Sequence, residues 1–231
     1  MMAALRRSLT AIFAALAVFA ISGCGSDPEI EAIRGQSKLV ASRISILRRG
    51  TVDSVAPNQQ AALALRKALT DAGQPIYLVT VSGLGYTNLM APYGQNGDVR
   101  TWASQTYETV SLRQGMLVAT RGFGSDLMSS TGPSIDQISA GHGTTRRTLL
   151  YLDGADQRAS FKYTCNIAPD GAETITILGQ TYAARKVSEV CVGSTGRFTN
   201  SYWFDNRGNL RQSRQLMTPG REGMLLERII D

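Results

Sequence analysis

Hydrophobic positions along this chain fall into three textures. The first is a continuous apolar run at residues 11–21, preceded by Arg6 and Arg7 and followed by Ser22, Gly23 and a single cysteine, Cys24. The second is a helical stripe within residues 57–73. Ala61, Leu65 and Leu69 recur every four positions, with Ala62 beside them, between Pro57-Asn58 and Gly73. That spacing predicts an amphipathic helix with a proline start and a glycine stop. The third texture begins at Pro75, where short segments rich in Val, Ile, Thr and aromatic residues are cut by clusters of Gly, Asp, Asn and Pro.

The third texture predicts strands over 75–82, 99–104, 107–112, 116–121, 146–152, 158–167, 173–178, 181–190, 197–204, 210–217 and 223–230. Residues 83–97 and 122–145 read as Gly-rich loops, the second with one helical turn. Residues 37–49 mix apolar and basic positions without a clean period, and helix or strand stays open there. Turn signals about every 10 residues imply an antiparallel sheet of hairpins. Several strands are apolar on both faces: Leu149 and Tyr151 oppose Leu150 and Leu152, and Trp203 opposes Tyr202 and Phe204, because side chains alternate along a strand. Part of the sheet is therefore covered on both sides, one of them by the helix. The fold expected is mainly β: one domain over residues 37–231, a strongly curved antiparallel sheet forming a half-barrel or a sandwich.

The apolar run at 11–21 is about 16 Å long as a helix, short of the roughly 30 Å hydrocarbon core. With its basic start it reads as an export signal. Ile21 stands three before Cys24, which suits an ordinary cleavage site poorly. Ile21-Ser22-Gly23-Cys24 is instead similar to a bacterial lipobox, where the thiol takes a diacylglyceryl group and the chain is cut before the cysteine. Residues 1–23 are then a signal peptide and 24–36 a lipidated tether, polar and acidic. Three acyl chains, at about 0.8 kcal/mol per buried CH₂, hold a protein on its membrane. No aspartate directly follows Cys24, so the outer membrane, facing the periplasm, is the expected location.

Export changes how charge and cysteine are read. The net charge is +6 and falls to +4 once Arg6 and Arg7 leave. The remaining basic residues are scattered, which fits a solvated surface or attraction to anionic glycans and lipid headgroups, and export of the chain argues against nucleic acid as a partner. Of three cysteines, Cys24 goes to lipid, and Cys165 and Cys191 remain to be joined as a disulfide in an oxidising compartment. One histidine and no Cys-x-x-Cys give no metal motif, and no cofactor is implied.

Catalytic chemistry is sparse. His142 lies in a Gly-flanked loop with no nucleophile marked beside it. Asp153, Asp156, Asp170 and Asp205 all sit in turns, where aspartate has a local backbone task, whereas glycoside hydrolysis needs two facing carboxylates. The candidates for contact with a glycan or protein partner are Arg121, Asp126, Trp203 and Arg214. Asp126 sits in a Gly-rich loop, Trp203 stands between aromatic neighbours, and Arg214 lies opposite Ser213 and Gln215 on a strand.

Two stretches carry a likeness: "GMLVATRGFGSDLMSS" at 115–130 and "NSYWFDNRGNLRQSRQLMTPGREGMLLERI" at 200–229. Together they resemble the signatures of the group 4 capsule, YjbF-type (GfcB-like) family of bacterial lipoproteins. Cys165, Cys191 and the Trp102 strand suit the same pattern. Leu216-Met217 stands where the family often has an aromatic. The resemblance implies an outer-membrane lipoprotein in capsule or exopolysaccharide assembly or export, beside envelope polysaccharide-export proteins and the anionic polymer itself. It brings no catalytic residues. The expected role is a non-catalytic accessory. The alternatives are a periplasmic glycan-modifying enzyme, or a carrier of a lipid-linked intermediate in an apolar hollow of several hundred Å³.

Overall fold

The computed structural model describes residues 58–152, 157–220 and 223–230. The export segment, Cys24, the tether and residues 37–49 lie outside them, as do Asp153 and Asp156. No helix among the described residues is long and apolar enough to cross a membrane.

Helix α1 (Gln59–Asp71) forms where the stripe predicts it. Asn58 Oδ1 accepts a hydrogen bond from the Ala61 N–H at 2.9 Å, satisfying one of the donors a helix leaves open in its first turn. Gly73, at φ +66°, turns the chain away. Ala62 and Leu69 are buried and Leu65 is half-buried.

The chain then runs through β1 (Ile76–Val81), a 3-10 turn (Ser82–Leu84), β2 (Tyr86–Asn96), β3 (Val99–Ala103), β4 (Thr109–Arg113) and β5 (Met116–Arg121). After β6 (Ser129–Thr131) and α2 (Ile135–Ala140) come β7 (Gly143–Leu152), β8 (Arg158–Ile177), β9 (Gln180–Gly193), β10 (Gly196–Asp205), β11 (Leu210–Gln215) and β12 (Met224–Ile230). All twelve strands make one antiparallel sheet in the order β5-β4-β3-β2-β1-β12-β11-β10-β9-β8-β7-β6. Every neighbouring pair is consecutive in sequence except β1 and β12, which join the first strand to the last. The sheet curls into a nearly closed barrel, and its seam falls in mid-chain, between β5 and β6. At one end of that seam the Thr120 N–H bonds Leu127 O at 2.9 Å.

Three segments depart from the sequence reading. Residues 83–97, expected as a loop, contain β2. Its first half pairs with β1 (Tyr86 opposite Val81, Met90 opposite Tyr77) and its second with β3, and the register shifts at Pro92. Pairing with its neighbours overrides the Gly/Asn/Pro composition, and the irregularity accommodates the proline that cannot donate to a ladder. Residues 158–178, expected as two strands, are the single β8, whose break at 168–172 is a bulge with Gly171 at φ +86°. Residues 122–145 hold β6 and α2 as well as loop. α2 begins with a capping box between Ser134 and Gln137.

Inward-facing side chains fill the barrel. Val79, Met90, Trp102, Val110, Leu149, Tyr151 and Leu226 belong to the main interior cluster, with Phe123, Leu127, Leu216 and Met217 added by loops that fold inward. A second cluster lies on the outer surface under α1, where Leu69 and Ala62 meet Ile76, Leu78, Ile177 and Trp203. Burying a leucine such as Leu69 contributes roughly 1.5–3 kcal/mol. Arg66 fastens the helix there, donating to Leu178 O at 3.2 Å and to Ile229 O at 2.8 Å. The expected two-sided cover is thus present at Trp203. It is absent at Leu152, which stays 43% exposed.

Candidate functional site

Four residues are expected at a contact site, and the structure places them in three settings. Asp126 frames its own loop: its carboxylate accepts from Gly122 N at 2.8 Å, Phe123 N at 3.2 Å and Thr120 Oγ1 at 3.0 Å. Arg121, the last residue of β5 at the start of that loop, donates to the carbonyls of Thr120 and Leu127. Between them they hold the turn that drives Phe123 and Leu127 into the interior. Trp203 is buried in the outer cluster, its Nε1 donating to Glu173 Oε2 at 2.8 Å, with Lys186 Nζ 5.5 Å over its ring. Arg214 is exposed, near Glu227. Burial raises the Glu227 carboxyl to about 7, against the opposing pull of Arg214. His142 is exposed, its Nδ1 3.0 Å from Ala140 O.

Period-2 alternation puts two charged residues on the inner, apolar face: Arg147 before Leu149 and Tyr151, and Glu189 between Val187 and Cys191. Both are buried, and they pair bidentately, Nε to Oε1 at 3.1 Å and Nη2 to Oε2 at 2.8 Å. Glu189 Oε2 also accepts from Asn200 Nδ2 at 2.7 Å and Tyr202 Oη at 2.9 Å. Asn200 Oδ1 in turn accepts from Leu216 N at 2.8 Å. Burial and the Glu189 charge push the Tyr202 phenol well up. Burial works against the Arg147 cation, but Tyr202 and Glu189 outweigh it and hold the guanidinium charged. Gly132 backs this guanidinium, and a Cβ there would lie 2.9 Å from Arg147 Cζ. The disulfide joins Cys165 and Cys191, directly opposite each other on β8 and β9 and both fully buried. These sulfurs lie beside Glu189, but they are bonded to each other and its carboxylate already accepts four hydrogen bonds, so the trio is not a free metal-donor set.

Gln215 holds the seam. Its Oε1 accepts from Leu117 N at 2.9 Å, and its Nε2 donates to Gly115 O at 2.8 Å and Ser213 Oγ at 2.9 Å. Thr218 Oγ1 adds a bond to Ser125 O at 2.9 Å. The two stretches that carry the family likeness are therefore tied to each other, residues 115–125 to residues 213–218. Leu216 and Met217, where the family often has an aromatic, are buried interior side chains.

Two cavities lined by described residues bear on this scaffold. One, of about 230 Å³, lies beside β5 and residues 130–137 and reaches Arg147. The larger, about 480 Å³, sits at the end of the barrel marked by the turns at 97–98, 114–115 and 206–209. Tyr77, Trp102, Leu112 and Leu210 give it an apolar base, and Arg100, Arg228, Gln95, Gln114 and Asn209 give it polar walls. Gly115 is required at this edge, since it sits at φ +88° and a Cβ would lie 2.7 Å from Leu210 Cδ2. None of Arg121, Asp126, Trp203 and Arg214 lines either cavity.

The sequence reading missed Arg147, Glu189, Asn200 and Gln215, and of the cleft residues it singled out only Trp102. For the first two the signal was present, a charge at an inward position of an otherwise apolar strand.

A comparison with curated protein sequences returns no match. Among solved structures, the chain is similar to the hypothetical lipoprotein YmcC from Escherichia coli K12, at 17% identity and a TM-score of 0.64, over 72% of this chain and 88% of that one. A putative exported protein with a YmcC-like fold from Bacteroides fragilis aligns at 10% identity and a TM-score of 0.34, over 68% of this chain and 93% of the other. A family model described as group 4 capsule polysaccharide lipoprotein GfcB, YjbF, matches residues 25–229. The chain therefore belongs to the YjbF family of group 4 capsule polysaccharide lipoproteins.

Proposed function

We propose that this protein is anchored by lipid at Cys24 to the outer membrane, faces the periplasm, and acts there as a non-catalytic accessory in the assembly or export of an extracellular polysaccharide. The observation that carries this reading is the family match, which begins at residue 25, one position after the lipobox cysteine. Two features of the structure support the accessory role over the alternatives. Asp126 frames its loop. Asp170 is held by Ser188 and Lys186, and Asp205 by Arg211 and Asn209. These carboxylates serve local structure. The barrel interior is packed with side chains and crossed by the Arg147–Glu189 network, which leaves a lipid tail a poor fit there.

The test is a deletion strain complemented with the wild-type gene or with Cys24→Ser, scored for surface polymer and for membrane fractionation. Wild type restores the polymer and its N-terminal peptide carries acyl mass on Cys24, whereas the serine variant is released from the membrane and restores less. Unmodified Cys24, or surface polymer indifferent to the deletion, overturns the reading. Shortening or chemical change of purified polymer on incubation with the protein would instead establish the enzyme.

A further inference from the structure

We propose that the cleft of about 480 Å³ at the barrel end binds a short, carboxylate-bearing segment of a glycan, a proposal that rests on the polysaccharide role above. Its volume falls in the roughly 300–1,000 Å³ range of small-ligand sites, and it joins an apolar base to a few convergent polar groups, as such sites do.

Three observations assign the chemistry. Trp102 lines the cleft at 6% exposure, and its Nε1–H is one of two buried side-chain polar groups among the described residues with no hydrogen-bond partner. A buried indole N–H is a donor that usually finds an acceptor. The Tyr77 ring meets Trp102 edge-on at 4.7 Å, so the two aromatics brace one another. The Arg100 guanidinium lies 5.9 Å over the Trp102 ring, and its hydrogen bonds go to the neutral Gln95 Oε1 at 3.2 and 3.4 Å. Arg228 is a second guanidinium in the wall. The acid in the lining, Asp98, is paired with Arg113 at 2.7 Å, so its charge is already matched.

Guanidinium groups recognise carboxylates through paired N–H donors. The side-chain amides of Gln95, Gln114 and Asn209 offer both donors and acceptors, which suits sugar hydroxyls. Leu112, Leu210 and the Tyr77 ring offer apolar surface to the C–H faces of a sugar ring. A uronate within a glycan presents all three kinds of group, whereas a neutral glycan offers the Arg100 guanidinium, bonded only to a neutral amide oxygen, no charge to meet.

The experiment is titration calorimetry on the full acylated protein in detergent. The probes are trigalacturonate and its fully methyl-esterified counterpart, and the proteins are wild type, Arg100→Ala and Trp102→Phe. The acid trimer is expected to bind saturably, and the ester about tenfold or more weakly. Arg100→Ala, at an exposed position that leaves the core intact, should weaken the acid about tenfold and erase the preference over the ester. Trp102→Phe keeps a ring beneath the Arg100 guanidinium, and should leave the preference for the acid over the ester in place. No binding to wild type, equal affinity for acid and ester, or undiminished affinity in Arg100→Ala overturns the proposal. If the deletion strain loses polymer while the trimer fails to bind, the cleft assignment falls and the accessory role stands. If the deletion leaves polymer unchanged, the role falls whatever the calorimetry reads.

Discussion

The side-chain amide of Gln215 stands in for a missing strand beside Leu117. At the seam, β5 has a neighbouring strand on one side only, and an unpaired strand edge is a template for unwanted pairing. Gln215 reaches over from β11 and bonds Leu117 N–H and Gly115 C=O with the donor and acceptor a backbone partner would have offered.

Gln215→Leu keeps much of the volume and leaves the buried Leu117 N–H without its partner, while the half-buried Gly115 C=O can still turn to water. A buried group left unpaired costs about 1–3 kcal/mol. Urea denaturation should show a lower midpoint. Hydrogen exchange should show the Leu117 amide opening faster than amides in β9. An unchanged Leu117 exchange rate would mean that the seam is held by something else.

The Arg147–Glu189 pair makes a sharper prediction. Removing one member leaves a buried charge unanswered, a loss on the order of 3–5 kcal/mol. Glu189→Gln and Arg147→Met should each destabilise strongly, and the double variant by clearly less than their sum. Strictly additive denaturation midpoints would show that the two side chains do not depend on one another.

The disulfide closes a sequence separation of 26 residues. Chain-entropy reasoning assigns such a link about 3–4 kcal/mol. Cys165→Ser with Cys191→Ser should lower the unfolding midpoint accordingly. Because both sulfurs are fully buried, alkylation after mild reductant should label neither until urea is added. Labelling in native buffer would contradict that placement.

Glu227 makes stability depend on pH. Burial raises its carboxyl from 4.5 to about 7 in the folded state, with Arg214 opposing. The folded protein therefore holds this proton more tightly than the unfolded chain does. The associated stability is fully present below about pH 4.5 and is lost as pH rises toward 7. Glu227→Gln should remove that dependence and raise stability at pH 8 by about 1–3 kcal/mol. Parallel stability-against-pH curves for the variant and wild type would refute the assignment.

Sequence periodicity carried the helix, the strand-rich body and the two-sided cover at Trp203, because each depends on spacing within one segment. The Cys165–Cys191 bond was legible through counting. β2 was not, since its Gly, Asn and Pro content argues for a loop until β1 and β3 supply partners. The join between β1 and β12 was equally hidden, because contact between the first and last strands leaves no local mark. The site residues show the same division. Arg121 and Asp126 stood out by flanking or lying in a distinctive loop, and there they fix its geometry. In Ser213-Arg214-Gln215 the charged residue attracted notice, yet Arg214 faces solvent and Gln215 reaches across the interior. Trp102 and Arg100 converge with Arg228 only once β3 and β12 curve toward a common opening, a relation that no spacing rule contains.

Pairing β1 with β12 also has a mechanical consequence. A tug arriving along the chain ahead of α1 would otherwise peel β1 from its neighbours one bond at a time. Arg66 intercepts that load, because it grips the carbonyls at the ends of β8 and β12 before the tension reaches β1. Pulling then strains several strands together rather than in succession, a form of strain relief suited to a body hung from a moving surface.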